Sequence, residues 1–592
     1  MKRYTRKPVP AILSLILVMF APAAMGQEKE LKKEVEVVKP YEPTVPEVFK
    51  INEMPRIKER EPEKPVFDYS IHPAPVSSSL EVEPVQAARM VDEPEAQAAS
   101  GLLKAGAGNY NTPYGELFYN AQAGKKTAVG LHLEHLSSNG KVRLKNGDKV
   151  KAPSSENLAE LFVNHSFRDS TGMKAKIFFE RTGLRYYGYA GDRLDDAGKD
   201  QLIPMWNDRQ TLTRGGVELS LDGEHAQGVN YRADVLYQRY TAKTGQEGSL
   251  ARLSGELNMD FDLFTGKLDA ILTVDGTDNV SETGPDALAS REKALLQASP
   301  SIQFGNELAA VKLGIHAFTI TDKEKVEDFT VTPDIYASLS PVKNWFTLFA
   351  GVNGRIQQNH YLEVAGENPY VSPWLNVKYA RYRYILTGGF RGRISNQWSY
   401  HVQADYSSIR DDHFYILRNR YRTLSETETE LISRSNTFDV VYDKVKQLRI
   451  GGEIHYVASQ KLDFLLKGDY YAYDTSLQAE AWQKPEAEGT ASVRLRPEGP
   501  FSFTADIYVL GKRKALITNE LLDPQTGSYT NFRQDIWKMD PVLDLNFSIA
   551  YEFSPSLSFW SRVNNFSAQK YDRWQGYTSK GVNVLLGLSF AF

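Results

Sequence analysis

The chain has 592 residues, a formal net charge of −4 and no cysteine. The near-neutral charge gives no basic field for nucleic acid. The lack of cysteine excludes disulfides, thiolate metal sites, a cysteine nucleophile and a lipidated N-terminal cysteine. Tyrosine (32 residues) and phenylalanine (28 residues) are abundant although the mean hydropathy is −0.43. This composition favours β-strands over helices.

Residues 1–26 have the pattern of a secretory signal peptide. The basic segment MKRYTRK precedes the apolar segment AILSLILVMFAPA, and a cleavage site follows at Ala24-Met25-Gly26. The apolar segment is too short for a spanning helix, and no later run of 18 apolar residues follows. We therefore expect an exported protein without a membrane helix, which is either soluble outside the cytoplasm or a membrane barrel.

Residues 27–100 differ in composition from the rest of the chain. Ten of the 28 prolines lie here, among alternating acidic and basic residues as in EREPEKP. Proline lacks the N–H that a sheet or helix needs, and such a segment buries too little apolar surface to order itself. The sequence predicts a disordered, Pro/Glu-rich periplasmic tail.

From residue 101 onward, apolar and polar residues alternate. FSFTADIYV (501–509), VLDLNFSIAYEF (542–553) and the terminal GVNVLLGLSFAF (581–592) each have one largely apolar face. In the last segment that face consists of Val582, Val584, Leu586, Leu588, Phe590 and Phe592. A period of two residues is typical of strands with one apolar and one polar side.

The connections between these strands alternate in length. Tight turns are predicted near 123–125, 169–172, 223–227, 264–265, 305–307, 340–343, 395–397, 458–460, 497–500 and 554–556. Longer polar connections are predicted near 137–156, 187–208, 276–297, 356–376, 410–436, 474–487, 513–540 and 567–580. Short turns at one end and long loops at the other are typical of outer-membrane barrels. The pattern predicts an all-β transmembrane antiparallel barrel of about 22 strands over residues 101–592, with both chain ends on the short-turn side.

A secreted β-sandwich, a propeller or two stacked sheets would be the soluble alternative. A soluble sheet must cover its apolar face with a second layer, and the sequence has neither an amphipathic helix for this purpose nor a 40–50-residue propeller repeat. In lipid, a closed barrel satisfies every backbone group and leaves no edge. We therefore prefer the barrel.

The end of the chain carries a family resemblance. Residues 562–592, RVNNFSAQKYDRWQGYTSKGVNVLLGLSFAF, resemble the ending of TonB-dependent receptor barrels, with an Asn-containing strand, a tyrosine, a loop and a Gly-rich strand ending in Phe. The terminal strand, with Phe590 and Phe592, also resembles the signal read by the barrel-assembly machinery of Gram-negative outer membranes. The resemblance implies a receptor-like barrel in the cell outer membrane, with outer-membrane lipid and that machinery as partners.

The N-terminal region departs from this family. Its receptors carry a folded plug of well over a hundred residues, for which residues 27–100 are too short and too rich in proline. A β-prone run lies where the family's energy-coupling box would be, and it consists of Glu34, Val35, Glu36, Val37 and Val38. The resemblance implies that this run contacts a periplasmic energy-coupling protein. Alternatively, the tail binds a structural partner or is unspecialised.

An arginine-rich strand is the candidate for a functional lumen wall. In VKYARYRYILTGGFRGRI (377–394), the alternation places Ala380 and Tyr382 outward. It places four arginines inward, namely Arg381, Arg383, Arg391 and Arg393. One interpretation is a basic wall that favours anionic solutes. The other, which we favour, is ordinary pairing with lumenal acids such as Asp405.

Aromatic residues in the long loops are candidates for ligand contacts. Trp206 and Trp574 are farthest from the predicted membrane band, whereas aromatics next to strands are typical of the interfacial girdle. His132 and His135 are three residues apart on a strand and so face opposite sides, which argues against a shared metal ion. No GxSxG nucleophile motif is present. We expect no enzyme activity, cofactor or metal.

Three functions remain open. The first, which we prefer, is uptake or passage of solutes through a receptor-like transport barrel. The second is a passive porin-like channel. The third is a structural or assembly role in an outer-membrane complex. The sequence names no solute.

Overall fold

The computed structural model describes residues 100–592 except 169, 225–227, 280–290, 323–324, 376, 426 and 460. The predicted signal peptide, the predicted tail and the EVEVV run (34–38) lie outside the described residues.

The described residues form 29 strands and two short helices in chain order. The first strands are β1 (Gly101–Gly108), β2 (Thr112–Gln122), β3 (Thr127–Ser138), β4 (Lys141–Arg143), β5 (Lys149–Lys151), β6 (Ser154–Arg168), β7 (Thr171–Arg185), β8 (Arg209–Gly223), β9 (Val229–Ala242), β10 (Gln246–Asp260), β11 (Thr265–Asn279), β12 (Arg291–Gly305), β13 (Ala309–Asp322), β14 (Lys325–Val342) and β15 (Phe346–Gln357). The remaining strands are β16 (Ala380–Arg393), β17 (Trp398–Thr423), β18 (Thr429–Arg434), β19 (Asp439–Ser459), β20 (Leu462–Thr475), β21 (Ala487–Leu495), β22 (Phe501–Leu510), β23 (Arg513–Leu522), β24 (Tyr529–Met539), β25 (Val542–Ser554), β26 (Leu557–Asn564), β27 (Asp572–Trp574), β28 (Tyr577–Thr578) and β29 (Asn583–Ala591). The helices are α1 (Asp196–Leu202) and α2 (Tyr361–Glu367).

Twenty-two of the described strands form one closed antiparallel ring. Each pairs with the next along the chain, apart from β4, β5, β18, β23, β24, β27 and β28, which lie outside the ring. The first strand pairs with the last, and the backbone N–H of Gly101 donates to the carbonyl of Phe592 at 2.8 Å. The predicted fold and strand number are therefore confirmed.

The two ends of the barrel differ as the sequence predicts. The inner end carries the short turns and both ends of the described chain, and the outer end carries the long connections. Three further connections at the outer end are short, at 109–111, 243–245 and between β13 and β14, which only two residues separate. The first turns through Tyr110 and Asn111, both at positive φ, which is the backbone twist that a tight hairpin requires.

The outer face of the wall is apolar. Ile177 in β7 is 58% exposed, and its register partners Leu161 and Val217 are exposed as well. Residues on the opposite face are polar and often buried, such as Gln238 and Asp469. Exposed aliphatic side chains around a closed ring need lipid rather than water as their neighbour. This arrangement places the barrel in the outer membrane.

Several elements rise above the outer end. The C-terminal half of β17 leaves the barrel and joins β18, β23 and β24 in a four-stranded sheet. β4 pairs with β5, and β27 with β28. Both helices have seven residues, and in the described part of the chain no helix is long and apolar enough to span a bilayer.

The predicted alternation of lumen-facing and lipid-facing side chains is wrong at the start of β16. Ala380 and Tyr382 were expected to face outward, but Ala380 is 2% exposed and packs in a cluster with Ile409 and Trp482, against which Tyr382 also packs. The pairing of β16 with β17 shifts register between Tyr382 and Tyr384. A bulge inserts one unpaired residue and so inverts the alternation on one side of it.

Candidate functional site

Three outer loops meet across the mouth of the barrel. They lie between β7 and β8 (186–208), between β15 and β16 (358–379) and between β26 and β29 (565–582). Their roots are eight, eight and six strands apart around the 22-strand ring. Loops rooted so evenly can touch one another only above or within the lumen. We call these loops, together with residues 435–438, the lid.

Tyr577 lies at the centre of the lid and is 1% exposed. Its ring stacks on Tyr370 at a centroid distance of 3.6 Å and meets Tyr187 edge-on at 5.1 Å. Its hydroxyl donates to the carbonyl of Asn436. One side chain therefore joins all the loops of the lid.

Hydrogen bonds to the backbone fix the lid further. The Asn436 amide donates to the carbonyls of Tyr186 (3.3 Å) and Met205 (3.1 Å). The Tyr186 hydroxyl donates to the carbonyl of Val371 at 3.2 Å. These bonds tie residues 435–438 to the loop 186–208 and tie that loop to the loop 358–379.

Gly576 permits the closest approach in the lid. Its φ is +80°, and a Cβ at this position would lie 2.6 Å from the carbonyl carbon of Tyr189. Only glycine combines this backbone conformation with this lack of space.

The loop 358–379, which we call the strap, reaches the opposite wall. It carries α2, and Tyr361 of α2 stacks on Tyr240 of β9 at 6.0 Å. β9 and β15 are six strands apart in the ring, which is roughly 28 Å along the wall. The strap therefore folds inward across the lumen rather than outward into solvent.

An acid of the strap holds it to β17. The Glu367 carboxylate accepts hydrogen bonds from His413 and from the Tyr415 hydroxyl, both at 3.0 Å. Burial favours the neutral acid, but the bond from His413 and the nearby Lys484 charge hold the pKa of Glu367 below its usual range. Lys484 is itself paired with Asp412 at 2.7 Å. This network stabilises the closed position of the strap.

A cavity of about 400 Å³ lies beneath the strap. One side is the inner wall from β7 to β10, and the other side is the strap. Its lining consists of Lys176, Phe178, Glu180, Arg214, Glu218, Leu236, Gln238, Leu250, Arg252, His360, Leu362 and Glu363. A volume of this size is typical of small-molecule sites.

Most charges at the cavity are paired. Lys176 lies 3.0 Å from Glu218 and 3.4 Å from Glu160. Arg214 makes a two-pronged contact with Glu180, with its closest bond at 2.6 Å. In the described residues, the cavity included, no group of three or more His, Asp or Glu residues is placed to hold a metal ion.

The four predicted arginines lie in different surroundings along β16. Arg391 lies on the inner face, with its guanidinium 5.8 Å from the ring of Phe349 and opposite His401 in the register. Arg383 is the unpaired residue of the register shift near the outer end, and Arg381 lies two residues before it. Arg393 is exposed near the inner end. The irregularity separates the four residues along the strand, and a basic wall with a role in selectivity remains a prediction.

The predicted loop tryptophans belong to the packed lid region. Trp574 is 9% exposed and packs edge-on against Tyr415 at 4.9 Å. Trp206 packs against Tyr189 and under the ammonium of Lys199, both centroid distances being close to 5.5 Å. Their packing supports the loops, and a ligand role for either remains a prediction.

The terminal aromatics lie at the inner end of the closing strand. Phe590 and Phe592 are exposed on the outer face, and Phe592 stacks near Tyr119 at 6.3 Å. Recognition of these two phenylalanines by the barrel-assembly machinery remains a prediction.

Sequence reasoning missed the strap. Its sequence, QNHYLEVAGENPYVSPWLNVKY (358–379), is rich in apolar and aromatic residues for a loop expected in solvent. That excess was the available signal, because large apolar side chains are normally buried. The side chains that they contact, such as Tyr240 and Tyr577, lie more than a hundred residues away in the chain.

Comparison with solved structures shows which known proteins have a similar fold. No protein-family model and no curated protein matches the sequence. The structure is similar to the ferripyoverdine receptor of the outer membrane of Pseudomonas aeruginosa, with 10% identity, a TM-score of 0.61 and coverage of 84% of this chain and 72% of that one. It is also similar to the siderophore receptor PirA of Acinetobacter baumannii, with 10% identity, a TM-score of 0.61 and coverage of 84% of this chain and 81% of that one. A third similar structure is the FrpB iron transporter of Neisseria meningitidis, with 11% identity, a TM-score of 0.61 and coverage of 84% of this chain and 83% of that one.

These three proteins are receptors or transporters of similar architecture. At such low identity the similarity shows the fold, and the predicted likeness to receptor-type outer-membrane barrels is confirmed at that level.

Proposed function

We propose that this protein is an outer-membrane transport barrel of receptor type, whose lid keeps the lumen closed until the strap moves. The observation that carries the proposal is the meeting of three evenly spaced loops at Tyr577. A passive porin needs a water-filled channel, and a buried aromatic core across the mouth works against one. The shared fold with siderophore receptors and an iron transporter supports the transport reading.

Deleting the strap tests this function. Gln357 and Ala380 are paired in the register, so a short Gly-Ser linker can replace residues 359–378 without moving β15 or β16. We expect near-zero conductance from the native protein in planar bilayers and a large, stable conductance from the deletion variant. The deletion should be recorded in the full chain and in a chain that also lacks residues 27–99, so that a block by the N-terminal region is recognised.

The turn between β23 and β24 provides a control. Leu522 and Tyr529 are likewise paired, and the side-chain hydrogen bonds of Asp523 and Thr526 stay within the turn. Residues 523–528 can therefore be replaced by a Gly-Ser linker, and this variant should remain closed. A large conductance from the native protein would favour the porin. Barrels that stay impermeable in both strap-deleted chains would favour a structural role and overturn the proposal.

A further inference from the structure

We infer that the cavity beneath the strap binds a small organic carboxylate with an apolar body, and that Arg252 holds the carboxylate. The inference deepens the proposed transport function and takes its biological meaning from it. The site lies on the path through the lumen, below the lid and against the wall from β7 to β10.

Arg252 differs from the other cations of the cavity. Lys176 and Arg214 have carboxylate partners. Within the described part of the chain, Arg252 contacts only neutral acceptors, the Gln358 amide oxygen at 2.7 Å and the Thr273 hydroxyl at 3.4 Å. A guanidinium has five N–H donors, so Arg252 retains donors for a planar, two-oxygen partner.

The strap adds an acid and a histidine beside this cation. Glu363 lies 3.6 Å from His360, and among the described residues it forms no ion pair with Arg252, although the charge of Arg252 acts on it. Burial together with the charges of Arg252 and Arg214 lowers the pKa of His360 to about 4, so His360 is neutral at pH 7. The cavity therefore offers one cation without a paired acid.

Apolar side chains complete the site. Leu236, Leu250 and Leu362 share the lining with Phe178. One unpaired cation beside an apolar patch matches a ligand with one negative charge and a hydrocarbon or aromatic body. An inorganic oxyanion would leave this patch without a partner, because only apolar surface gains from burial there.

Titration of the full chain in lipid nanodiscs tests the site. Benzoate is the probe, benzamide is the matched neutral compound, and inorganic phosphate is the matched anion without an apolar body. We expect isothermal calorimetry to detect benzoate binding, with benzamide and phosphate at least tenfold weaker. Equal binding of benzamide, or of phosphate, would overturn the inference.

Variants locate the binding. Arg252→Gln should weaken benzoate at least tenfold, and Arg252→Lys should weaken it less because the charge remains. Leu236→Trp fills the cavity and should also abolish binding. Because Arg252 is intact in this variant, the loss would show by a second, independent change that benzoate binds in the cavity. Arg562→Gln, whose guanidinium lies over the ring of Trp560 on a distant part of the wall, is the control and should bind benzoate normally.

The two proposals fail separately. Benzoate binding that survives Arg252→Gln would remove the carboxylate site whatever the conductance of the strap deletion. An impermeable strap deletion with Arg252-dependent benzoate binding would remove transport and leave the site.

Discussion

The wall of the barrel and its lid are built by different rules. In the wall, each strand pairs with its neighbour in the ring, and alternation sets which side chains face lipid except where a bulge shifts the register. In the lid, Tyr577 bonds Asn436 across 141 residues of chain, and Tyr186 bonds Val371 across 185. Contact with lipid on one side and water on the other determines which residues the wall needs, whereas the lid needs side chains that are complementary in shape and hydrogen bonding.

The difference has an energetic basis. Apolar residues on the wall leave water for lipid, where any hydrocarbon side chain is acceptable. The lid closes a water-facing mouth, so its aromatic core depends on packing and on paired polar groups. Conservative substitutions should therefore change the stability of the outer wall little and the stability of the closed lid much more.

The largest effect is expected from Tyr577→Ala. Removing a fully buried aromatic ring costs about 3–5 kcal/mol, and here the cost falls on closure of the lid. Backbone amides in the lid, such as those of Ser372 and Phe438, should exchange hydrogen at least about a hundredfold faster. The thermal transition of the barrel should stay unchanged.

Tyr577→Phe is the matched control for this prediction. It keeps the ring and removes one hydrogen bond, worth about 1 kcal/mol, so exchange in the lid should rise only several-fold. If Tyr577→Ala accelerated exchange equally in lid and wall, the two regions would not be separate cooperative units.

A charge on the lipid face should have the next largest effect. Ile177→Arg places a cation near the middle of the membrane-facing wall and should reduce the free energy of unfolding by about 2–4 kcal/mol. Urea unfolding in lipid vesicles measures it. Ser220→Arg, on the lumen side of the neighbouring strand, should change the free energy little, and similar losses for both variants would contradict the assignment of faces.

The smallest effect concerns the pH dependence of benzoate binding. Burial raises the pKa of Glu363 to about 7, against the opposing charge of Arg252, and Asp275 and His413 also act on it. Above pH 7 the ionised Glu363 reduces the positive potential at Arg252, and below pH 7 it is neutral, whereas His360 stays neutral down to about pH 4. Affinity should therefore rise several-fold from pH 8 to pH 6.

Glu363→Gln removes the titrating group and tests whether Glu363 causes the expected rise in benzoate affinity at lower pH. Calorimetry should then give the same benzoate affinity at both pH values, close to that of the native protein at pH 6. A pH dependence that persists in Glu363→Gln would assign it to another group.

Prediction from sequence succeeded where a residue's environment depends on its near neighbours. The terminal strand ending in Phe592 and its polar partner face follow directly from alternation. It failed at Tyr382, because one bulge inverted the faces, and a bulge leaves no reliable trace in a single sequence. Of the candidate site, the sequence singled out Trp206 and Trp574, which lie in the packed lid region, but neither the strap nor Arg252.

The sequence by itself determined a closed, lipid-facing barrel of about 22 strands with long loops at one end, because a period of two residues and a membrane leave few other solutions. Only the tertiary structure decided that three of those loops turn inward, meet at Tyr577 and leave a cavity beside Arg252. The physical reason is distance along the chain: alternation acts between adjacent residues, whereas packing joins side chains that only the closed ring brings together.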